Sequence, residues 1–345
     1  MKDLPRVSRF PTGKVPADSL RRIVFSRLGL SSSRLLQGPG VGEDAAILEF
    51  GDRVLVVATD PITGAVGNVG RLAVHVNAND VASCGARPLW FLCVTLLPEG
   101  SGEAELEEIM EQMNAACSEV GVSLIGGHTE TTPDLERSIL IGFMMGESPK
   151  HNYVTTGGAL PGDILIMTKT AGIEGTAVLA RDLNTFLHGR VGKETLCVAE
   201  SMLGLISVVP EAMESVKLGG VHSLHDPTEG GVLNGIWEMV EAAGVGVIVR
   251  EDYIPIAEET RQICNALGID PLKLLGSGAL LLAVDQEKAD EMVSALRAMG
   301  VETSIIGEVK PRQDGRIIIR KDGRKETITS VDQDHLYKIL DEHGI

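Results

Sequence analysis

The stretch NANDVASCGARP (residues 77–88) sets two amides and a carboxylate into an otherwise apolar segment that ends in a glycine and a proline. Side chains before and within it recur at helical spacing, which predicts a helix over residues 70–84. A polar group buried in such a helix needs a partner, because desolvating it alone costs free energy. Asn79 and Asp80 are therefore candidate functional residues; the alternative is that they are ordinary polar groups at a helix C-terminus.

Short apolar runs alternate with longer amphipathic stretches on both sides of this helix, a pattern typical of an α/β (α+β) fold. Residues 45–50 and 53–60 are predicted strands joined at Gly51-Asp52, a hairpin-type dipeptide, so Asp60 falls at a strand end. The other elements predicted in the first half are strands over residues 88–97, 122–127 and 138–147 and a helix over residues 103–120.

The chain is long enough for two domains, since 345 residues exceed the usual size of one. A segment rich in Pro, Gly and polar residues over 148–162 marks a boundary and predicts an N-terminal domain of residues 1–155 and a C-terminal domain of residues 156–345. Predicted strands of the second half lie at 164–169, 221–226, 245–251, 278–285 and 303–309, and predicted helices near 171–187, 193–209, 229–243, 257–267 and 287–299.

Composition and charge exclude several classes of function. The net charge is −17 and no basic stripe is present, which argues against binding to nucleic acid or to an anionic membrane. No apolar run approaches the roughly 20 residues of a membrane span. The five cysteines are dispersed and form no Cys-x-x-Cys pair, which argues against a zinc site or disulfides and indicates a reducing cytoplasm.

Acidic and amide groups recur at the ends of predicted elements, and we interpret them as parts of a magnesium site. A single acid in a turn is usually a cap or a solvated residue, because its side chain bonds nearby backbone amides. Several acids that face one cleft fit Mg²⁺, which takes oxygen ligands and usually keeps a nucleotide's phosphates in its shell. The residues concerned are Glu43, Asp44, Asp60, Asn79, Asp80, Glu130 and Asp226.

Glycine-rich stretches supply candidate phosphate sites, because exposed backbone amides of tight turns can cradle phosphate oxygens. Glycine turns are also common structural features, and none of these stretches fits a Walker loop or a dinucleotide-binding Gly-x-Gly-x-x-Gly turn. A phosphate site here must belong to another class. The stretches lie at residues 38–46, 125–132, 170–177 and 228–235.

The order and spacing of several motifs resemble the aminoimidazole ribonucleotide (AIR) synthetase superfamily. The motifs are GEDAAIL, TD, GRLAVHVNANDVASCGARP, IGGHTE, PGDILIMTK and HDPTEGGVLNGIWEMVEAAGVGV. Residues 13–29 and 254–284 are most similar to the HypE family of hydrogenase-maturation proteins. The resemblance implies a PurM-like fold, in which the N-terminal domain forms a β-barrel with its copy in a homodimer and the second domain is an α/β sandwich. It also implies that ATP and Mg²⁺ bind between the subunits.

Carried over position by position, the resemblance implies roles for individual residues. The metal ligands are Asp44, Asp60 and Asp80; the catalytic residues are Asp226, His128 and Glu130. The ATP-binding candidates are Lys14, Arg71, Asn79, Gly126, Gly127 and Lys169, although each of the three cations also fits a solvated surface position. Leu72 and Val76 are expected to pack inward.

Two departures from the HypE pattern matter for function. His128 stands where the family usually has an aspartate; an imidazole is a poor ligand for Mg²⁺, so Glu130 is expected to replace the missing acid, and a structural role for His128 stays open. The HypE tail carries a cysteine that bears the carbamoyl group, whereas the last cysteine here is Cys264. The carbamoyl group is therefore expected on a separate small-molecule or protein-borne substrate.

The sequence thus predicts an ATP- and Mg²⁺-dependent phosphoryl-transfer enzyme that activates a carbamoyl or amide oxygen. Positioning and charge neutralisation account for most of such catalysis, and these are what held Mg²⁺ and backbone amides supply. Two alternatives remain at this point. One is a small-molecule kinase of the thiamine-monophosphate type, and the other is a nucleotide-binding scaffold without catalysis.

Overall fold

The computed structural model describes Phe10, residues 12–63 and residues 67–343. The outer ends of the two predicted domains, residues 1–9 and 344–345, lie outside this range. The described chain contains a six-stranded and a seven-stranded sheet, each packed with helices. The predicted α/β (α+β) class is confirmed.

The strands alternate with helices along both halves of the chain. The first sheet contains β1 (Leu35–Gln37), β2 (Ala46–Phe50), β3 (Arg53–Ile62), β4 (Arg87–Pro98), β5 (Ser123–Thr132) and β6 (Ile139–Pro149). The second contains β7 (Ile164–Thr168), β8 (Val221–His225), β9 (Gly246–Arg250), β10 (Leu281–Val284), β11 (Thr303–Lys310), β12 (Arg316–Ile319) and β13 (Lys325–Thr327). The α-helices are α1 (Ala17–Ser19), α2 (Val69–Ser83), α3 (Glu103–Val120), α4 (Ile173–Asp182), α5 (Asn184–Val191), α6 (Lys193–Ser201), α7 (Val209–Leu218), α8 (Gly231–Ala243), α9 (Glu258–Leu267), α10 (Ala289–Ala298) and α11 (His335–His343).

The first sheet has the strand order β1-β2-β3-β6-β4-β5, with β4 and β5 parallel and the other pairs antiparallel. Phe50 pairs with Arg53, so the predicted hairpin at Gly51-Asp52 is confirmed. Gly51 has a φ of 69°, a left-handed conformation that glycine adopts without strain. The sheet is open in one chain and β5 forms its edge, so the dimeric barrel stays a prediction.

Helix α2, which carries the NANDVA motif, lies between the two halves of the molecule. It packs against β3 and β6 of the first sheet, against α3, and against α7 and β8 of the second half. Almost all of its residues are buried, and Leu72 and Val76 pack inward as expected. A helix that is buried on every side must be apolar on every side, so its few polar residues need partners in the interior.

The second sheet has the strand order β13-β12-β9-β11-β7-β10-β8, and only β12 and β9 in it run parallel. The sequence predicted β7 to β11 but missed β12, β13 and α11. The two strands are too short to display a period of two. The single helix predicted over 171–187 is two helices, and the one over 193–209 ends in a 3₁₀ turn at Met202–Leu205 before α7 begins.

The two halves share packed side chains, which fixes the cleft between them. Ile173, Met202 and Ile206 of the second half belong to the hydrophobic core of the first sheet. Arg21, in the N-terminal segment, contacts Glu241 of α8 with an N–O distance of 2.5 Å. No single described helix is long and apolar enough to cross a membrane; only the bent pair of helical segments Lys193–Leu205 and Val209–Leu218 passes that test together.

Candidate active site between the two halves

A cleft with two connected compartments lies between the halves. The acidic compartment, of about 690 Å³, is lined by residues that include Asp44, Asp60, Asp80, His225 and Glu238. The α11 compartment, of about 620 Å³, is lined by residues that include Asp60, Glu174, Glu229, Ser277 and Tyr337. Lys14, Asp60 and Thr228 line both compartments, so they mark the passage between them. The structure therefore brings the three predicted metal ligands together with Lys14.

Asn77 of α2 fixes the backbone at Asp60. The Asp60 N–H donates to Asn77 Oδ1 at 2.8 Å, and Asn77 Nδ2 donates to the carbonyls of Asp60 at 3.2 Å and Ala73 at 2.9 Å. Asn77 is fully buried, so these bonds are shielded from water. The clamp holds the end of β3 in place against α2, which positions the Asp60 carboxyl in the cleft.

Asp80 and Asp226 are buried acids with too few partners. Ser83 Oγ donates to Asp226 Oδ1 at 3.1 Å, while Asp226 Oδ2 has no hydrogen-bond partner among the described residues. Burial raises the pKa of Asp80 well above its ordinary value, and Asp60, Asp226 and Asp44 add to the shift. Burial likewise raises the pKa of Asp226, with Asp44 adding to the shift. Burial raises the pKa of Asp60 to about 6, against the opposing charge of Lys14.

A chain of charged groups runs from Asp44 to Lys14. His225 Nδ1 lies 2.9 Å from Asp44 Oδ1, and His225 Nε2 lies 3.1 Å from Glu238 Oε2. Lys14 Nζ lies 3.5 Å from Glu238 Oε1 and donates to Thr228 Oγ1 at 3.0 Å. Burial opposes a charge on His225, but Asp44 and Glu238 raise its pKa to about 10. Burial also opposes a charge on Glu238, yet Lys14 and His225 lower its pKa to about 2.

These charges identify His225 as an imidazolium held between two carboxylates. Lys14 is likewise cationic: desolvation opposes its charge, but Glu238, Asp60, Glu229 and Asp44 raise its pKa. Half of the Lys14 side-chain surface remains exposed, so the ammonium is accessible from the cleft. Within this row of charged groups, Lys14 is therefore the cation that a ligand in the cleft can reach.

The donor set of the acidic compartment fits Mg²⁺. Its carboxylates are hard oxygen ligands, and a bound cation would offset the burial and mutual repulsion that raise the pKa values of Asp60 and Asp80. No three His, Cys, Asp or Glu side chains in the described parts of the chain converge closely enough to enclose an ion by themselves. The residues thus suit a cation that is shared with phosphate oxygens and water.

Three predicted ATP-binding residues lie outside the two compartments of the cleft, and their polar atoms bond to other groups of the protein. Asn79 donates to the Ile206 carbonyl and accepts from the Val208 N–H, both at 2.9 Å, and so joins α2 to the second half. Arg71 pairs with Glu119 of α3 at 2.7 Å. Lys169 pairs with Glu211 at 2.7 Å and donates to two backbone carbonyls of residues 205–207. None of the three lines the two compartments.

The GGHTE stretch forms part of a strand rather than a phosphate-binding turn. Gly126 and Gly127 lie in β5 beside β4, and a Cβ on Gly127 would approach the Cys93 carbonyl to 2.0 Å. This close backbone approach accounts for the glycine at 127. His128 and Glu130 form an exposed pair on β5, with 3.0 Å between Nε2 and Oε2, and neither lines the cleft of its own chain.

Three site residues were missed by the sequence analysis. Asn77 was overlooked beside Asn79, and His225 beside Asp226, although both lie inside the motifs that carried the resemblance. Glu238 is a buried acid in the apolar helix α8. A polar residue within an apolar helix indicates a candidate functional residue, as in α2, and Glu238 has the same pattern in α8.

Known proteins match this chain over most of its length. The family model described as the AIR synthase related protein N-terminal domain matches residues 42–148, and that of the C-terminal domain matches residues 161–320. The hydrogenase expression/formation protein HupE of Azotobacter chroococcum mcd 1 is 32% identical over 280 residues, which is 78% of this chain and 79% of HupE. The carbamoyl dehydratase HypE of Cupriavidus necator is 30% identical over 275 residues, 77% of this chain and 75% of that protein.

A solved structure of the hydrogenase maturation protein HypE in complex with ATP has the same fold. Its TM-score is 0.71 at 24% identity, and the superposition covers 92% of this chain and 93% of that one. The match extends across both halves and therefore across the cleft. The chain belongs to the AIR synthase related family and is a HypE-like enzyme of the AIR synthase superfamily.

Proposed function

We propose that this chain transfers the γ-phosphoryl group of ATP, with Mg²⁺, to the oxygen of a carbamoyl or amide group, and that the phosphate then leaves in a dehydration. The observation that carries the proposal is a group of acids beside the cationic Lys14: the buried Asp80 and Asp226, of which Asp226 has an oxygen without a partner among the described residues, and the partly buried Asp60. Such a set is costly to fold unless a bound ligand uses it. The relatives named as carbamoyl dehydratases support the dehydration half of the proposal.

The reaction balances without a redox partner. The acceptor's carbonyl oxygen forms a bond to the γ-phosphorus, the bond to the β,γ-bridging oxygen breaks, and ADP leaves. The acceptor's C–O bond then breaks to release phosphate, and the nitrogen loses both of its protons, which leaves a nitrile. The sum is R–CO–NH₂ + ATP → R–CN + ADP + phosphate + H⁺.

Residues of the acidic compartment have distinct tasks in this scheme. Asp44, Asp60 and Asp80 would hold the metal, which neutralises phosphate charge when bound. Lys14, at the passage between compartments, would contact the transferred phosphoryl group. His225 holds Asp44 in position through an ion pair, while Asp226 is buried in the second half and lines neither compartment, although the charges of Asp44 and Asp60 act on it.

The acceptor is a separate molecule in this proposal. Cys84, Cys93, Cys117 and Cys264 are buried, and burial raises the pKa of each thiol. Cys197 is exposed, but it lies on α6 and lines neither compartment. No cysteine of the chain is therefore an accessible thiol in the cleft.

A homodimer completes the proposal. The edge strand β5 is unpaired in one chain, and apolar residues are exposed on it and on neighbouring strands, among them Trp90, Ile125 and Phe143. An unpaired edge next to an uncovered apolar face is a natural site for a second copy. His128 and Glu130 lie on this edge, so they would act only where a partner copy covers it.

Product analysis tests the proposed reaction. With ATP, Mg²⁺ and S-methyl thiocarbamate as a minimal acceptor, we expect ADP, phosphate and methyl thiocyanate in equal amounts. A stable phosphorylated product from thiamine monophosphate, without free phosphate, would identify a small-molecule kinase instead. Binding of ATP without turnover of either acceptor would identify a scaffold.

A further inference from the structure

The α11 compartment contains a buried acid that the steps above do not use. Glu174 lies in the first turn of α4 and is 7% exposed, yet it lines the compartment. Around it are apolar side chains from both halves and from α11, among them Ile62, Val178 and Leu336. The space beyond the Lys14 passage is thus a chamber whose wall combines apolar side chains with several charged ones, among which Glu174 is buried.

The other acids of this chamber have different surroundings. Glu229 accepts from the Lys14 backbone N–H at 2.5 Å and from the Tyr337 hydroxyl at 3.4 Å. Asp60 belongs to the metal set, and Asp341 is exposed at the rim. Glu174 alone among them is both buried and outside the metal set.

The environment of Glu174 holds it close to neutrality. Burial raises its pKa to about 7, a hydrogen bond from Ser277 opposes the shift, and the charges of Asp334, Glu229 and Asp60 add to it. Lys14 and Arg137 are the basic groups that line the same chamber. A base whose pKa lies near the working pH is the most effective in a proton transfer.

Resting on the proposed function, we propose that the α11 compartment seats the carbamoyl or amide acceptor and that Glu174, which lines it together with Ser277, takes the protons from its nitrogen. The dehydration requires that nitrogen to lose two protons as the C–O bond breaks. The Glu174 carboxylate accepts the first N–H proton, passes it to water in the open cleft, and accepts the second as phosphate leaves. No oxidant or further co-reactant is needed.

The geometry favours an acceptor with an –NH₂ group. Two N–H donors match the carboxylate in the wall, and the acceptor's carbonyl oxygen can face the Lys14 passage, which opens onto the acidic compartment. The apolar side chains of the chamber would surround the remainder of the group. Water would then be displaced from the acceptor, which protects a phosphorylated intermediate from hydrolysis.

The test uses the full chain with S-methyl thiocarbamate as probe and compares Glu174→Gln with Ser277→Ala and with the exposed Glu291→Gln as control. We expect Glu174→Gln to bind Mg·ATP as the wild type does, to keep its melting temperature, and to lose at least about 100-fold in probe-dependent phosphate release. The wild-type rate should rise with pH through about 7, following Glu174, and this limb should be absent from Glu174→Gln. Removing the Ser277 hydrogen bond should move the limb to higher pH.

Several results would overturn this assignment. One is a Glu174→Gln variant that retains turnover within twofold of Glu291→Gln. Another is a Glu174→Gln variant that loses Mg·ATP binding together with turnover, which is the mark of a structural residue. Wild-type protein that binds Mg·ATP but releases no phosphate with the probe would also overturn it, while remaining consistent with the proposed nucleotide site. Wild-type protein that fails to bind Mg·ATP would contradict the proposed function itself.

Discussion

Helix α2 and strand β5 carry the two polar motifs that attracted attention in the first half of the sequence, and the fold treats them in opposite ways. The NANDVA motif of α2 is buried at the seam, where Asn77 clamps Asp60 and Asp80 enters the acidic compartment. The GGHTE motif of β5 lies on an exposed edge, with His128 and Glu130 paired in solvent.

The contrast shows that burial, rather than residue type, separates the two motifs. An exposed ion pair contributes little to the stability of the fold, because water and salt screen it. A buried acid without sufficient partners destabilises the fold until a ligand compensates for it. The α2 motif therefore indicates a binding site within one chain, whereas β5 can contribute only through a second copy.

The largest expected effect is that of Asp80→Asn. It should lower turnover by at least about 1,000-fold, since Asp80 is a proposed ligand of the metal that would neutralise charge in the transition state. In EDTA at pH 8 the substitution should also raise the free energy of unfolding by about 1–2 kcal/mol. The pKa of Asp80 is raised in the folded protein, so the wild type becomes less stable as the pH rises above the ordinary pKa of an aspartate, and asparagine removes this loss. Chemical denaturation and phosphate-release assays check both effects, with the exposed Asp290→Asn as control.

An Asp80→Asn protein that is less stable than the wild type and still active would contradict the assignment of the α2 motif to a binding site. It would mean that the carboxylate is a structural group with partners of its own.

The next effect concerns His225. Its pKa is raised to about 10 from 6.5, so the stability it contributes is complete below pH 6.5 and is lost as the pH rises towards 10. The His225→Gln variant should be less stable by about 3–5 kcal/mol at pH 6, because Asp44 and Glu238 lose the charge between them. The difference from the wild type should shrink between pH 7 and 10 in urea denaturation.

A pH-independent difference between the wild type and His225→Gln would contradict the imidazolium assignment. It would show that the ring is neutral and acts through packing and hydrogen bonds alone.

A third comparison separates the two amides of α2. Asn77→Ala and Asn79→Ala should each cost about 2 kcal/mol of stability, since each leaves buried backbone groups unpaired. Only Asn77→Ala should also weaken Mg·ATP binding, by about 10-fold, because only Asn77 positions Asp60. Titrations of folded protein below its melting temperature distinguish the two. Equal affinity in both variants would remove the positioning role of Asn77.

The smallest effect is expected on β5. His128→Gln and Glu130→Gln should leave Mg·ATP binding within about threefold of the wild type, since neither side chain lines the cleft that contains the acids of their own chain. Light scattering of Ile125→Asp reports on the dimer: a monomer is expected if this face is the interface. Loss of nucleotide binding in Glu130→Gln, to the extent seen in Asp80→Asn, would place β5 in the metal site.

The sequence predicted elements and site residues correctly where the local pattern of side chains is sufficient to determine the structure. The Gly51-Asp52 hairpin, α2 and α3 follow from turn chemistry and helical spacing, and Asp60 at a strand end pointed correctly to the cleft. Residue type alone could not show which acids Arg71 and Lys169 contact, because a cation pairs with whichever acid the fold brings near it. Glu119 and Glu211 are distant in sequence, and their proximity is a property of the packed helices.

Gly126 and Gly127 lie in a strand for a different reason. A pair of glycines is typical of a turn, but the same lack of a Cβ also permits close approach of two strands, as β4 and β5 show. The network from Asp44 through His225 to Lys14 joins residues that lie more than 180 positions apart, so no local pattern could have predicted it.

The most direct test of the central claim is a calorimetric titration with ATP, with and without Mg²⁺, on the wild type, Asp60→Asn and Glu130→Gln. We expect Mg²⁺-dependent binding to the wild type and to Glu130→Gln, and at least about 10-fold weaker binding to Asp60→Asn. Equal binding to all three proteins, or binding by the wild type that needs no Mg²⁺, would contradict the claim that the buried acids at the seam form the metal-nucleotide site.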